Sequence, residues 1–370
     1  TSLRIKELWK MKTKRRFLQR SVFAVVALLG MAAQAAPLKV VPSEWGIYHG
    51  AFPDLTAPAS QFFESSKIMQ LDSMLSKPLA WVQVQDDFVE GIQFPWPAVE
   101  AIEKLGKVPY IRLMPLSRRD QNFGKDPLYN LENILRGDFD RDLREYARNA
   151  KLTGSPLIME FAPEANGRWY PWNGLWNGGG ETTGYGDPAL ADGPERYRDA
   201  YRRVIDIFRV EGVENVTWVF HVDSQPKPTA DWNKMALYYP GDEYIDWIGI
   251  SVFGAQFPWD YWNSFTQVMD QAYDEFAAIS PNKPLAVVEF GVIEDSFDPN
   301  RKANWLREAL TVIRDERYDR IKAISYWHES SWIPTRDNNL RLDSSPQALE
   351  MYNRLLQEET FLGELEVTWP

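Results

Sequence analysis

The stretch Pro284–Gly291 has the sequence PLAVVEFG, an apolar run that contains a single charged residue, Glu289. Apolar side chains occupy odd and even positions alike, which indicates a strand that is buried on both faces. Such strands are typical of parallel sheets whose faces are covered by helices. We therefore expect this segment to form a central strand of an α/β domain, with Glu289 at its carboxyl end.

Similar apolar runs recur along the chain on both sides of this segment, and amphipathic stretches such as Glu195–Arg209 and Asn304–Glu316 lie between them. With Pro284–Phe290, the predicted strands are Trp45–His49, Trp81–Gln85, Val108–Met114, Pro156–Phe161, Val216–Val222, Ile245–Phe253 and Ile321–Trp327. Eight strands that alternate with helices predict a (β/α)8 TIM barrel in a single domain. A doubly wound open sheet is the alternative, but no glycine-rich nucleotide-binding turn follows the first strand.

The first 35 residues differ in composition from the rest of the chain. From Met11, a basic segment (MKTKRRFLQR) precedes the apolar run Ser21–Ala33, and Ala33-Gln34-Ala35 matches a small-x-small cleavage pattern. We interpret residues 1–35 as a signal peptide with an upstream extension, cleaved near Ala35, and residues 36–370 as the barrel domain. Because the apolar run is short for a membrane span, we expect a secreted or periplasmic protein without stable membrane insertion.

The composition excludes several classes of function. The net charge is −11, and because residues 1–35 are strongly basic, the remainder is more acidic still. Such a surface repels phosphate backbones, so nucleic acid is not an expected partner. The absence of Cys excludes disulfides and thiolate metal sites. Aromatic residues make up 14% of the chain, and many lie beside Gly, Pro, Asn or Asp, a pattern that suits stacking on sugar faces in a cleft.

Polar residues gather where the predicted strands end. In a barrel these ends meet at one face, where the active site forms. All three His of the chain, His49, His221 and His328, lie at such ends, and Asp223 follows His221 closely. A metal-dependent hydrolase built on these four residues is one hypothesis, but their spacing matches no metal motif. We therefore expect neither a metal nor a cofactor.

Two glutamates stand at strand ends where a pair of carboxylates could cooperate. Hydrolysis of a glycosidic bond needs an acid for the leaving oxygen and a second carboxylate on the other side of the anomeric carbon. Glu164 follows the fourth predicted strand and Glu289 ends the seventh. Glu160 is the competitor of Glu164, but it lies deeper on the same strand face, where an ion pair with Arg112 is the expected role.

Four segments, taken in order and with their spacing, resemble one known family. They are GIYHG (46–50), EANGRWYPW (164–172), DWIGISVFG (246–254) and VVEFG (287–291). They are similar to segments of family 26 of the glycoside hydrolases, which contains endo-β-1,4-mannanases, mixed-linkage β-glucanases and β-1,3-xylanases. The resemblance extends from about Trp45 to Trp332, and its most specific part is the Glu-x-Asn-Gly-x-Trp-Tyr-x-Trp motif.

The resemblance implies that Glu164 is the acid/base and Glu289 the nucleophile of a retaining enzyme. It also places Trp169 and Trp172 at aromatic positions that line the sugar cleft. From strand-end positions, the further candidate substrate-binding residues are His49, His221, Phe253 and Trp327.

The chain departs from the family pattern at three positions. Many mannanases of the family have a His where this chain has Pro163, and several members have an Arg at the place of Glu160. The sixth barrel strand often ends in a Tyr that binds the nucleophile, whereas this chain has Phe253.

The sequence thus predicts an exported, monomeric, retaining endo-β-glycanase that acts on a polysaccharide. The first substrate is β-1,4-mannan, and the alternatives are mixed-linkage β-1,3-1,4-glucan, β-1,3-xylan and a bacterial exopolysaccharide. A barrel that binds polysaccharide without hydrolysing it is the alternative from another functional class.

Overall fold

The structure is a computed structural model and describes residues 3–4, 38–55, 63–119, 124–330 and 338–368. The predicted signal sequence from Met11 and its cleavage site lie outside the described residues, whereas Leu3–Arg4 of the upstream extension are described. No helix of the part of the chain that the structure describes is long and apolar enough to cross a membrane.

The described chain alternates strands and helices. The strands are β1 (Leu3–Arg4), β2 (Lys39–Val41), β3 (Ile47–Phe52), β4 (Trp81–Asp87), β5 (Val108–Met114), β6 (Leu157–Phe161), β7 (Val216–Asp223), β8 (Trp247–Phe253), β9 (Leu285–Gly291), β10 (Ile321–Trp327), β11 (Phe361–Leu362) and β12 (Glu366–Thr368). The α-helices are α1 (Ser65–Met74), α2 (Trp96–Lys104), α3 (Leu131–Arg136), α4 (Asp140–Thr153), α5 (Asp192–Val210), α6 (Phe265–Ala278), α7 (Arg301–Arg314) and α8 (Pro346–Leu356).

Strands β3 to β10 form a closed parallel barrel. Each strand pairs with the next, and β10 pairs with β3 in a register that runs from Ala323 opposite Tyr48 to Trp327 opposite Phe52. The predicted TIM barrel is confirmed, and all eight predicted strands lie within a few residues of the observed ones.

A small antiparallel sheet covers the amino-terminal end of the barrel. It has the order β1-β12-β2, and Leu38, Val40 and Val367 pack into the lower barrel interior. The Trp247 indole N–H donates to the Val40 carbonyl at 3.0 Å, and the Val40 N–H donates to Thr217 Oγ1 at 2.8 Å. This end is therefore closed, and the carboxyl-end opening, called the mouth below, is the side available to a ligand.

Helix α5 fixes the end of β6, which carries the first candidate glutamate. Its buried face includes Tyr197 and Tyr201. The Tyr197 hydroxyl donates to the carbonyls of Phe161 and Ala162, and the Tyr201 hydroxyl donates to the Val219 carbonyl at 2.6 Å. Two tyrosines of one helix thus anchor the end of β6 and the middle of β7.

The barrel interior is apolar at its lower end and polar towards the mouth. The lower level holds side chains such as Trp81, Ile158 and Trp247. Above it lie buried polar residues from successive strands: Gln83, Arg112, Glu160, His221, Ser251, Glu289 and Ser325. Because buried polar groups are costly unless they are paired, this upper level is the part of the fold that needs explanation by function.

A β-bulge in β9 turns Glu289 into the barrel. Ala286 and Val288 both face the interior, so strict alternation would direct Glu289 outward, against the helices. The pairing with β8 instead shifts between Ile250 and Ser251, so that Ser251, which faces inward, is opposite Glu289. Bulges often redirect a side chain beside an active site in this way.

The backbone carbonyl at the bulge is bound by a buried glutamine. Gln83 Nε2 donates to the Val288 carbonyl at 3.0 Å, while Gln83 Oε1 accepts from Ser325 Oγ at 3.1 Å. Ser325 is in turn bound by the Trp81 indole N–H at 3.3 Å. This chain of hydrogen bonds supports the strand segment that presents Glu289.

We expect Gln83→Leu to lower the free energy of unfolding by about 1–3 kcal/mol, because it removes the buried hydrogen bonds of Gln83 to the Val288 carbonyl and the Ser325 hydroxyl. Chemical denaturation would measure the loss. Gln85→Leu is the matched control, since Gln85 lies on the same strand and is only partly buried. Equal stabilities of the two variants would contradict the role given to Gln83.

Candidate active site

The loop after β6 presents Glu164 at the mouth in an unusual backbone conformation. Ala162 and Glu164 both have positive φ angles, 54° and 53°, which non-glycine residues adopt only when their surroundings enforce it. The Trp172 indole N–H donates to the Pro163 carbonyl at 2.7 Å, and Asn173 Nδ2 donates to the Glu164 carbonyl at 2.7 Å. Side chains of the WYPWN segment therefore hold the strained loop in place.

The Glu164 carboxyl is 5% exposed and accepts a hydrogen bond from the Trp169 indole N–H at 2.6 Å. The Trp169 ring is half-buried, and Gly167 is needed beside it because a Cβ there would lie 2.7 Å from the ring. The residue type at each position of this motif thus serves to place one carboxyl and one aromatic ring side by side.

Glu289 lies on β9 with its carboxylate against Arg112. Arg112 Nη2 forms an ion pair with Glu289 Oε1, and Arg112 Nε donates to Glu160 Oε1 at 2.7 Å. Burial raises the pKa of Glu289, and the Arg112 charge opposes this effect by favouring the carboxylate. Arg112 is therefore the group that supports the ionised form a nucleophile requires.

Glu160 lies below both candidate catalytic residues and is fully buried. It accepts hydrogen bonds from the Tyr110 hydroxyl at 2.7 Å and from Arg112, and His221 Nδ1 lies 3.0 Å from Glu160 Oε2. Burial alone would raise the pKa of Glu160, but His221 and Arg112 more than offset it and the pKa falls to about 2. The predicted ion pair between Glu160 and Arg112 is present, and Glu160 has no proton to donate near neutral pH.

Three of these residues have the ligand types of a metal site. Donor atoms of Glu160, His221 and Glu289 all lie within 4.8 Å of one another. The Arg112 guanidinium, however, contacts both carboxylates and stays protonated at every working pH. A metal ion there would have to bind beside a fixed positive charge. The two carboxylates of the cluster are instead neutralised by Arg112.

Tyr170 lies close to both candidate glutamates, a position that the sequence analysis missed. Its ring stacks on Trp172 with centroids 4.4 Å apart. Burial and the neighbouring Glu164 and Glu289 carboxyls raise the pKa of Tyr170 well above its usual value, against the opposing effect of Arg112. The phenol is therefore a neutral hydrogen-bond donor, and its place in the WYPW motif was the available signal.

Two of the three histidines are not where a substrate-binding role would need them. His49 is wrong as a cleft residue: it is fully buried and lies near Lys77, Pro78 and Asp72, on the helix side of β3. Alternation along β3 explains this, because Tyr48 faces the interior and its neighbour must face outward. His221 is also wrong, since it is buried below the mouth with its ring nitrogens beside Glu160 and Ser251.

His328 is occupied by the chain itself. Its Nδ1 accepts from the Leu342 N–H at 3.0 Å, and its Nε2 lies 3.7 Å from Asp343. The three histidines thus contact different parts of the structure, and the metal hypothesis built on His49, His221, His328 and Asp223 fails.

The aromatic candidates divide into covered and available rings. Trp172 is wrong as a sugar-stacking ring, because it is 1% exposed and lies under Tyr170. Trp327 is 6% exposed, since Phe52 stacks on it at 4.1 Å and the Arg112 guanidinium lies 4.8 Å from its centroid. Trp169 and Phe253 are partly exposed and remain candidates.

Glu329, just beyond β10, is a further polar residue that the sequence analysis did not single out. It accepts from the Trp327 indole N–H at 2.8 Å. Burial and the nearby Asp54 raise the pKa of Glu329 to about 8. No sequence signal marked it, because a Glu beside a His in a predicted loop is unremarkable.

We expect Arg112→Met to lower the free energy of unfolding by about 3–5 kcal/mol, because it leaves two buried carboxylates without their cation. Adding Glu160→Gln should recover part of this loss, since it removes one of those charges. Arg119→Met is the matched control: its guanidinium pairs with Asp87 but its side chain is 50% exposed, so a loss below about 1 kcal/mol is expected. Urea unfolding of the variants measures the effects, and a similar loss for Arg112→Met and Arg119→Met would contradict this account.

Comparison with known proteins agrees with this geometry. Residues 129–337 match the family described as Glycosyl hydrolase family 26. Endoglucanase H of Acetivibrio thermocellus is 32% identical over 231 residues, which cover 62% of this chain and 23% of that protein. Beta-1,3-xylanase TXYA of Vibrio sp. is 26% identical over 160 residues, which cover 43% of this chain and 28% of that protein. The chain thus spans about a quarter of the length of the curated relatives it matches.

Solved structures show the same fold. The catalytic domain of the family 26 endo-beta-1,4-mannanase from Bacillus sp. JAMB-750 has a TM-score of 0.61 and 16% identity, with 86% of this chain and 87% of that chain covered. A double mutant of the Cellulomonas fimi endo-beta-1,4-mannanase has a TM-score of 0.60 and 16% identity, with 86% and 72% covered. Since the family match spans more than half of the sequence and includes both candidate glutamates, this chain belongs to glycosyl hydrolase family 26.

Proposed function

We propose that the protein is a retaining endo-β-glycanase in which Glu164 is the acid/base and Glu289 the nucleophile. The family is a retaining one. The observation that carries the assignment of roles is the ion pair of Glu289 with Arg112, which favours a carboxylate on β9. Glu164, bound to a ring at the rim of the mouth, is the carboxyl that a leaving group can reach.

The two residues then act in two steps. In the first, Glu289 attacks the anomeric carbon while Glu164 gives its proton to the glycosidic oxygen of the leaving sugar. In the second, Glu164 takes a proton from water, and the resulting hydroxide displaces Glu289 from the covalent ester. Tyr170, as a neutral donor close to both carboxyls, can bind an oxygen of the sugar or of Glu289 in either step.

For the substrate we propose a β-glucan, which reverses the order given by the sequence. The supporting comparison is the 32% identity to a protein named an endoglucanase. The site supports it because Pro163 has no side-chain donor beside the acid/base, and Phe253 has none above Ser251 at the end of β8. Many mannanases of the family have a His at the first of these places, and members of the family often have a Tyr at the second.

β-1,4-Mannan is the second candidate, since several of the structural neighbours are named mannanases. Their identity to this chain, 16%, speaks for the shared fold and leaves the sugar open. The two sugars differ in the orientation of the hydroxyl at C2, so a hydrolysis assay discriminates between them directly.

We expect the protein without residues 1–35 to release reducing sugars faster from mixed-linkage β-glucan than from galactomannan or β-1,3-xylan. Glu289→Ala should be inactive on an activated aryl β-cellobioside, because it lacks the nucleophile. Glu164→Ala should retain some activity on that substrate, whose leaving group hardly needs a proton, and azide should increase it by attacking the covalent intermediate.

Three outcomes would contradict parts of the proposal. Preferred hydrolysis of galactomannan would restore mannan as the substrate. A β-glycosyl azide formed by Glu289→Ala and not by Glu164→Ala would exchange the two roles. No hydrolysis of any β-glycan, together with measurable binding to one, would support the non-catalytic barrel.

We further propose that the protein is exported. The basic segment at Met11, the apolar run Ser21–Ala33 and the Ala33-Gln34-Ala35 pattern support this proposal. We expect the mature chain to begin at Ala36 or Pro37 when the full sequence is expressed in a bacterial host. Amino-terminal sequencing of the extracytoplasmic fraction tests it, and a chain that retains Met11 there would contradict cleavage.

A further inference from the structure

The last residue of β7, Asp223, places a third carboxyl beside the acid/base. The Asp223 side chain is 8% exposed and is a hydrogen-bonding partner of the Glu164 carboxyl. Two ionised carboxylates cannot form a hydrogen bond with each other, so this contact requires one proton between them. On the other side of Glu164, the Trp169 N–H donates to Oε2.

The contact is enforced by the backbone on both sides. Asn166, two residues after Glu164, accepts from the Asp223 N–H at 2.7 Å and donates to the Asp223 carbonyl at 2.8 Å. Asp223 Oδ1 also accepts from the Gln225 N–H at 2.6 Å, which fixes the orientation of the carboxyl. The loops after β6 and β7 are therefore joined, and neither carboxyl can withdraw without breaking these bonds.

We propose that Asp223 is a positioning residue for the acid/base, which shares a single proton with Glu164 and holds that carboxyl at the rim of the mouth. This proposal rests on the proposed function for the role of Glu164. It assigns to Asp223 no contact with the substrate.

The charges balance through both steps. Before reaction, Glu289 is ionised and the Asp223–Glu164 pair carries one proton, so the three carboxyls hold two negative charges. When the proton passes to the leaving oxygen and Glu289 becomes an ester, both charges lie on the pair. The two adjacent carboxylates repel each other, and that repulsion favours removal of a proton from the attacking water. Release of the sugar from Glu289 returns the pair to its protonated state.

Other charged and titratable groups face the pair and are included in this account. Burial and Glu164 raise the pKa of Asp223 well above its usual value, and Lys227 opposes them. Glu289 faces the pair from β9, with Arg112 against it on β5. Tyr170 faces Glu164 from the loop after β6. Since Arg112 is already paired with two carboxylates, Lys227 is the cation of this group whose charge acts on Asp223.

The test is the pH dependence of Asp223→Asn. The amide keeps the size of the side chain and can still accept from Gln225, but it cannot share a proton as an acid. We expect the alkaline limb of kcat/KM on mixed-linkage β-glucan to move to lower pH by about one unit, because Glu164 loses a like-charged neighbour. Asp298→Asn is the matched control: Asp298 makes the same hydrogen bond to the N–H two residues on, at 2.9 Å, in an exposed loop.

A titration without substrate makes the result independent of activity. In protein labelled with carbon-13 at the Asp and Glu carboxyl carbons, the Asp223 and Glu164 signals should titrate together, and each variant identifies one of them. In Glu164→Gln the Asp223 signal should titrate at lower pH than in the unmodified protein. This second variant also serves if Asp223→Asn does not fold.

The proposal is overturned if the alkaline limb is the same in Asp223→Asn as in Asp298→Asn. It is equally overturned if the Asp223 signal titrates independently of Glu164. Coupled titration without hydrolysis of any β-glycan would support the shared proton and contradict the proposed function. Hydrolysis of β-glucan with independent titration would do the opposite.

Discussion

The upper part of the barrel depends on the ion pairs of the Arg112 guanidinium. The guanidinium lies between two carboxylates from different strands, Glu160 and Glu289, and both would be too costly to bury as ions without it. A geometric consequence follows, because a planar fork fixes the relative position of the groups it binds. The strands β5, β6 and β9 are therefore tied together by charge at the level where chemistry occurs, while apolar packing holds them below.

The buried charged groups below the mouth also explain why several aromatic rings of the site are themselves buried. Trp327 covers Arg112 and Trp172 supports Tyr170, so these rings shield or brace the charged groups and have little surface left for a sugar. Trp169 differs, since its N–H is bound to Glu164 while part of its ring stays exposed. One motif therefore supplies both a bracing ring and a ring at the cleft.

The fold could be predicted from the sequence because eight buried parallel strands leave a strong pattern of apolar runs. The ion pair of Glu160 with Arg112 followed from strand alternation. Alternation failed at Glu289, where a bulge reverses the direction of the side chain. At His49 it holds, and it places that side chain outside the barrel because Tyr48 faces the interior. The burial of Trp172 could not be predicted, because the packing of a loop depends on contacts that leave no periodic pattern in the sequence, such as the stacking of Tyr170 on Trp172.

The small sheet at the amino-terminal end of the barrel has a consequence for how the mouth can be presented to a substrate. Strand β2 near residue 40 and strand β12 near residue 367 pair with each other, so the segments that enter and leave the barrel lie at the face opposite the mouth. A tether fused to either segment would orient the cleft away from its anchor. The domain can thus be immobilised through these two segments with its opening directed away from the support.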